Sequence, residues 1–211
     1  LFAIDRAGLV GADGPTHNGS YDISFLRCLP EIVIMAPSDE NECRQMLYTG
    51  FLIDGPAAVR YPRGSGPGVK VEKNMTAIPI GKAEVRRPGK HGAILSFGTT
   101  LEMCLAVGEK FDFHVINMRF VKPLDEQIID KLVEDCELII TVEENVVEGG
   151  AGSAVNELVA KRGGKVALGN YGLPDRLIPH GSREDMLRDA GLTEQGLIEF
   201  ISEKLSTESF S

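Results

Sequence analysis

The apolar positions of this chain fall into short runs separated by stretches of helical period. Leu1–Ile4 is an apolar run stopped by Asp5 and Arg6, which predicts a buried parallel strand reaching the carboxyl edge of a sheet. Residues 7 to 20 hold four Gly and one Pro and predict a long loop. Ile32–Met35 predicts a second buried strand, stopped by Pro37. Ser38 is then placed to cap a helix with Asp39 and Glu40 in its first turn, Cys43, Met46 and Leu47 on one face, and Gly50 at its end. Ala57–Tyr61 predicts a third strand, running into Pro62-Arg63-Gly64.

Residues 64 to 79 carry three Gly, two Pro and no sustained period, the pattern of a linker. The expected division is 1–66, a linker at 67–79, and a second domain over 80–211. That second part alternates more cleanly. Strands are expected at Ala93–Phe97, Phe113–Met118, Leu138–Val142 and Lys165–Leu168. Thr99-Thr-Leu-Glu102 reads as a capping box for a helix to about Glu109. Pro123-Leu-Asp125 opens a helix with Ile128, Ile129, Leu132 and Val133 on one face. A helix follows Gly149–Ser153, and Ser182 and Thr193 open two more. Strand and helix in this alternation predict an α/β fold of mostly parallel sheets with flanking helices.

With 43% hydrophobic and 25% charged residues, the composition excludes a disordered chain, a collagen and a disulfide scaffold. The net charge of −9 argues against a general nucleic-acid or anionic-membrane binder. No apolar run approaches the ~18 residues of a membrane span. Cys28, Cys43, Cys104 and Cys136 form no CxxC pair, so buried free thiols in a reducing compartment are expected. The opening Leu-Phe-Ala-Ile-Asp resembles the inside of a strand, and a longer parent chain is expected.

The first loop is richest in chemistry. Arg6, Asp13 and His17 stand among Gly8, Gly11, Gly14 and Gly19, after the first strand, where open α/β sheets bind ligands. An arginine, a carboxylate and an imidazole there could hold a phosphate and a hydroxyl and move a proton; the alternative is a turn with surface charges. Arg60 and Arg63 end the third strand, and alternation lets only one face the site; spacing does not choose between them. The Gly149–Ser153 turn departs from GxGxxG and reads as close packing rather than a nucleotide site. Glu143 and Glu144 read as a solvated or interface-facing strand end rather than an acid pair. His91 is expected exposed and His114 structural, and His180, in a loop near Arg176 and Asp175, is a further candidate. No HxH, HExxH or DxD spacing indicates a metal site.

Five strings together carry a resemblance: Asp5-Arg-Ala-Gly-Leu-Val-Gly-Ala-Asp-Gly-Pro-Thr-His17, Pro37-Ser-Asp-Glu-Asn-Glu, Val59-Arg-Tyr-Pro-Arg-Gly64, Met118-Arg-Phe-Val-Lys-Pro-Leu-Asp125, and Thr141-Val-Glu-Glu-Asn with Gly149-Gly-Ala-Gly-Ser153. In this order they closely resemble the C-terminal third of the 1-deoxy-D-xylulose-5-phosphate synthase family, and more loosely transketolase and the beta subunits of 2-oxo acid dehydrogenases. The resemblance implies a transketolase-like fold, here the end of a pyrimidine-binding domain plus a C-terminal domain. It implies a transferase using thiamine diphosphate and Mg²⁺, decarboxylating pyruvate and joining the two-carbon unit to D-glyceraldehyde 3-phosphate, in isoprenoid and thiamine biosynthesis. Arg6 and Arg63 would hold the acceptor's phosphate or carboxylate, which selects Arg63 over Arg60. Asp13 and His17 would bind the acceptor's hydroxyls and assist proton transfer. The family's coenzyme and metal sites lie in its N-terminal part. So the chain alone is expected to be inactive, working beside its own N-terminal portion in a homodimer, in a bacterial cytoplasm or a plastid stroma. The other expected partners are small-molecule substrates, with no nucleic acid and no membrane. The rival readings are another thiamine enzyme subunit, or an oligomerisation module from about Ile80.

Overall fold

The computed structural model describes residues 1–208, which fold around two sheets. In the first sheet, β1 (Phe2–Ile4), β3 (Ala57–Arg60) and β2 (Val33–Met35) lie parallel in that order. In the second, β6 (His114–Asn117), β5 (Gly92–Phe97), β8 (Leu138–Val146) and β9 (Ala167–Leu173) are parallel, with β4 (Glu84–Arg87) antiparallel on the β6 edge. β7 (Phe120–Lys122) leaves the second half and pairs antiparallel with β2, as the fourth strand of the first sheet. The chain crosses from one sheet to the other in the two residues between Asn117 and Phe120, with Arg119 held at φ 61°.

The alternation along β5 explains the layering. Ala93, Leu95 and Phe97 face α4 (Glu126–Asp135) and α5 (Ala151–Arg162), whereas Ile94 faces α3 (Leu101–Phe111) and α7 (Glu194–Glu208). The first of these cores also contains Ile34, Ala36 and Ala58 of the first sheet, so the two halves share one apolar cluster. Each fully buried Leu, Ile or Phe in it contributes ~1.5–3 kcal/mol.

Several expectations change. β1 is exposed rather than buried, with Phe2 60% accessible, because it is an edge strand paired only to β3. Asp39, not Ser38, caps α2 (Glu40–Leu52): its carboxylate accepts from Glu42 N at 2.8 Å, while Ser38 Oγ donates to the Glu42 carboxylate at 2.8 Å. Gly50 does not end that helix but lies within it, where a Cβ would sit 2.6 Å from Leu1 Cδ1. α3 starts after Thr100, without the Thr99 box; Thr100 Oγ1 instead lies 2.9 Å from Ser96 Oγ. It passes Glu109 and closes at Asp112, whose φ of 53° is left-handed. β8 runs four residues beyond Val142, and β9 continues past Leu168 to Leu173. The short strands β4 and β7 and the helix α1 (Asp22–Leu26) had no signal in the periodicity. Asp125 and Ser182 do cap α4 and α6 (Arg183–Asp189), and Ile129, Leu132, Leu197 and Ile201 are buried.

Candidate functional site

The loop after β1 is closed at its base by backbone. Gly19 N donates to Arg6 O and to Gly8 O, both at 2.9 Å, and Ala7 N donates to Tyr61 O at 3.0 Å, beside the end of β3. Arg6 itself is left-handed, φ 62°, which turns the chain away from the strand. Its side chain then reaches Asp13, with Nε donating to Oδ2 at 2.8 Å, and Nη1 donates to Asp5 at 2.5 Å. Arg63, from the turn after β3, donates Nη1 to the other oxygen of Asp13. One carboxylate, mostly covered, thus gathers two guanidiniums carried by separate parallel strands. A guanidinium has five donors, and neither arginine uses all of them in these contacts.

His17 stands apart from this cluster. It is exposed, and its Nδ1 lies 3.3 Å from Thr16 Oγ1; among the described residues no hydrogen bond joins it to Arg6, Asp13 or Arg63. Arg60, which spacing left as an equal of Arg63, points inward. It is buried and donates Nη2 to Gly19 O at 2.6 Å and to Glu144 O at 2.8 Å. Its neighbour Asp22 has a carboxyl pushed above the usual range by burial, which Arg60 only partly offsets. Beside Arg63 a cleft of about 830 Å³ opens between the starts of α2 and α3, lined in part by Pro37, Tyr61, Leu101 and Arg183.

The largest departure from expectation is Glu143-Glu144, expected at a solvated or interface-facing strand end: with Asn145 they are buried inside β8, and Glu144 faces the first half of the chain through Leu9 N. Glu143 accepts from Ala151 N and Gly152 N, both at 2.8 Å, at the start of α5. The Gly-rich turn therefore is a packing device, and the anion at its helix terminus is the protein's own carboxylate. A Cβ on Gly150 would overlap that carboxylate. Asn145 Oδ1 accepts from Ile23 N at 3.1 Å, tying α1 to β8. The apolar run ending at Val142 hid this continuation, because a strand buried on both faces rarely carries acids unless they are bonded.

Burial pushes the Glu143 carboxyl up from the ordinary 4.5 to about 7. Below pH 4.5 it is neutral folded and unfolded, and its stabilising contribution is complete; between that value and about 7 the unfolded chain loses the proton first and stability falls. The fall amounts to ~3 kcal/mol. In urea unfolding, the advantage of the native protein over Glu143→Gln should therefore be greatest in acid and shrink toward neutrality. A pH-independent difference would overturn this.

Of the remaining expectations, His91 and His180 are exposed, and His114 Nδ1 accepts from Gly89 N at 3.1 Å. Cys104 and Cys136 are buried and Cys43 partly so, but Cys28, two residues past the end of α1, is exposed. All four are free thiols.

Residues 81–197 match the family model of the transketolase C-terminal domain, and residues 1–68 match that of the transketolase pyrimidine-binding domain. The chain belongs to the transketolase family. The transketolase-like fold extends to a solved structure described as a split gene transketolase, inactive beta4 tetramer, with TM-score 0.85 and 23% identity, covering 97% of this chain and 66% of that one. Transketolase from Campylobacter jejuni matches with TM-score 0.72 at 19% identity, over 96% of this chain and 31% of that one. Among curated relatives, this transketolase-family chain is 59% identical over 199 residues to the 1-deoxy-D-xylulose-5-phosphate synthase of Nitrosococcus oceani, covering 94% of the chain and 31% of the relative. It is 61% identical over 197 residues to that of Methylococcus capsulatus, covering 93% and 31%. The chain thus spans about a third of the length of the curated relatives it matches.

Proposed function

We propose that this chain forms the acceptor-binding wall of a 1-deoxy-D-xylulose-5-phosphate synthase that condenses pyruvate, with loss of CO2, with D-glyceraldehyde 3-phosphate. The convergence of Arg6 and Arg63 on Asp13 carries the reading. In it the remaining guanidinium donors hold the acceptor's phosphate, and Asp13 holds both arginines and accepts from a hydroxyl of the acceptor. His17, exposed at the rim of the same loop, meets substrate from solvent and assists proton transfer. A phosphate bound this way fixes the aldehyde at a distance from the reacting carbon, which is where remote binding energy serves orientation.

The thiamine diphosphate and Mg²⁺ of such an enzyme do not fit the residues present here. Among the described residues no three His, Cys, Asp or Glu side chains converge on a metal position, and the Gly-rich helix start is filled by Glu143. We assign both groups to the N-terminal portion of the enzyme, beside which this chain would act. The division at 67–79 is part of the same reading; no helix or strand occurs between Arg60 and Glu84. So is a homodimeric assembly in the bacterial cytoplasm: the relatives are bacterial, the split-gene neighbour is a tetramer, and no described helix is long and apolar enough to cross a membrane.

The test joins the chain to the N-terminal portion of one of these relatives. The assembly should release CO2 from pyruvate and, with glyceraldehyde 3-phosphate, form 1-deoxy-D-xylulose 5-phosphate; the 211-residue chain alone should do neither. A properly assembled, coenzyme-loaded protein that forms no such product would overturn the proposal.

A further inference from the structure

We infer that Glu144, contributed by the second half of the chain, is a positioning residue for the loop that carries Asp13, with Arg183 as its counter-ion. Glu144 Oε1 accepts from Leu9 N at 2.9 Å, four residues before Asp13, and Arg183 Nη2 donates to Oε2 at 2.5 Å. The carboxylate is 6% exposed, so it cannot touch a substrate in the cleft and acts only through the loop. The loop is shaped to receive it. Gly8 has φ 74°, and a Cβ there would overlap the Glu144 carboxylate. Gly11 has φ 62°, and a Cβ there would stand 2.9 Å from Arg183 N. Leu9 itself is buried with Leu173, Ile178, Met186 and Leu192, all from the second half. The backbone of Glu144 adds a further point, since its carbonyl accepts from Arg60, which also holds Gly19 O at the loop's other end. Both stems of the loop are therefore pinned to one residue of β8, and Asp13, on which Arg6 and Arg63 converge, lies between the pinned positions Leu9 and Gly19.

A carboxylate buried this deeply is stable only while its cation and its amide donor are both in place. Removing it frees the Leu9 amide and Arg183 together, and the turn from Gly8 to Asp13 loses its fixed point.

The kinetic part of this inference rests on the synthase reading above; the structural part does not. On the 211-residue chain, Glu144→Ala should speed hydrogen exchange at the Leu9 amide about tenfold while the amides of Ile94 and Leu95 in β5 keep their protection. Unaltered exchange at Leu9 would overturn the inference. If Glu144→Ala does not fold, Arg183→Ala decides in its place: it leaves the buried carboxylate without its cation, and several-fold faster exchange at Leu9 is expected, with an unaltered rate overturning the inference equally. In the assembly with the N-terminal portion, Glu144→Ala should raise KM for glyceraldehyde 3-phosphate about tenfold with KM for pyruvate unchanged. Glu144→Gln, which keeps an oxygen for Leu9 N, should recover much of this. A purely structural role would lower the active fraction and leave both KM values alone, and that result would overturn the inference. An assembly whose unsubstituted form makes no product counts against the synthase reading, and the clamp is then decided by the exchange measurement.

Discussion

Glu42→Ala is expected to cost ~3–5 kcal/mol of folding stability, the range seen when one partner of a buried, hydrogen-bonded ion pair is removed. The Glu42 carboxylate accepts from Ser38 N at 2.7 Å and Ser38 Oγ at 2.8 Å within its own half, and from Asn117 Nδ2 at 3.0 Å and Arg119 Nε at 2.6 Å across the sheet junction. Asn117 is fully buried, so truncation leaves its amide with Ser38 Oγ, at 3.3 Å, and takes the carboxylate from Ser38 N and from a mostly covered guanidinium. Among the described residues Arg119 then keeps one carboxylate, that of Glu84, at 2.7 Å. Urea unfolding of the variant and the native chain measures the loss. A midpoint equal to that of the native protein would mean that water replaces the carboxylate at no cost and that the junction does not depend on it.

Arg63→Ala, in the complete enzyme proposed above, should raise KM for glyceraldehyde 3-phosphate by about 10- to 150-fold, the equivalent of one charge-assisted hydrogen bond of ~1.5–3 kcal/mol. KM for pyruvate should not move. Arg63 is half-exposed and its contact with Asp13 is a surface one, so the substitution spares the fold. The comparison with Arg60 is instructive: Arg60 holds two backbone carbonyls in the interior, and its loss would disturb structure before substrate. Equal increases for both substrates would show that Arg63 supports the site as a whole rather than the acceptor's anion.

Much of the second half was legible because its strands and helices obey their periods. Ile129 and Leu132, or Leu197 and Ile201, are buried as their spacing requires. From spacing, the arginine pair was legible only as a set of residue types at strand ends, and it took the family resemblance to prefer Arg63 to Arg60. That Arg63 rather than Arg60 meets Asp13 depends on which side of β3 packs against β8, and that information lies more than eighty residues away in the chain, at Glu144. Glu143 and Glu144 were misread for a related reason. Their charge is a surface signal in any local window, and only the amides of Ala151, Gly152 and Leu9 make their burial tolerable. β7 gave no sign at all, being three residues long and paired with a strand from the other half.

That last strand changes what the stretch between Arg60 and Glu84 is. Because Phe120–Lys122 pairs with β2, some ninety residues earlier, severing the segment between Arg60 and Glu84 would break a covalent tether but leave a shared sheet intact. The two regions are thus not beads on a string. The first sheet is finished by a strand of the second half, the second half buries Leu9 of the first, and motion of one against the other would first have to unzip β7 from β2.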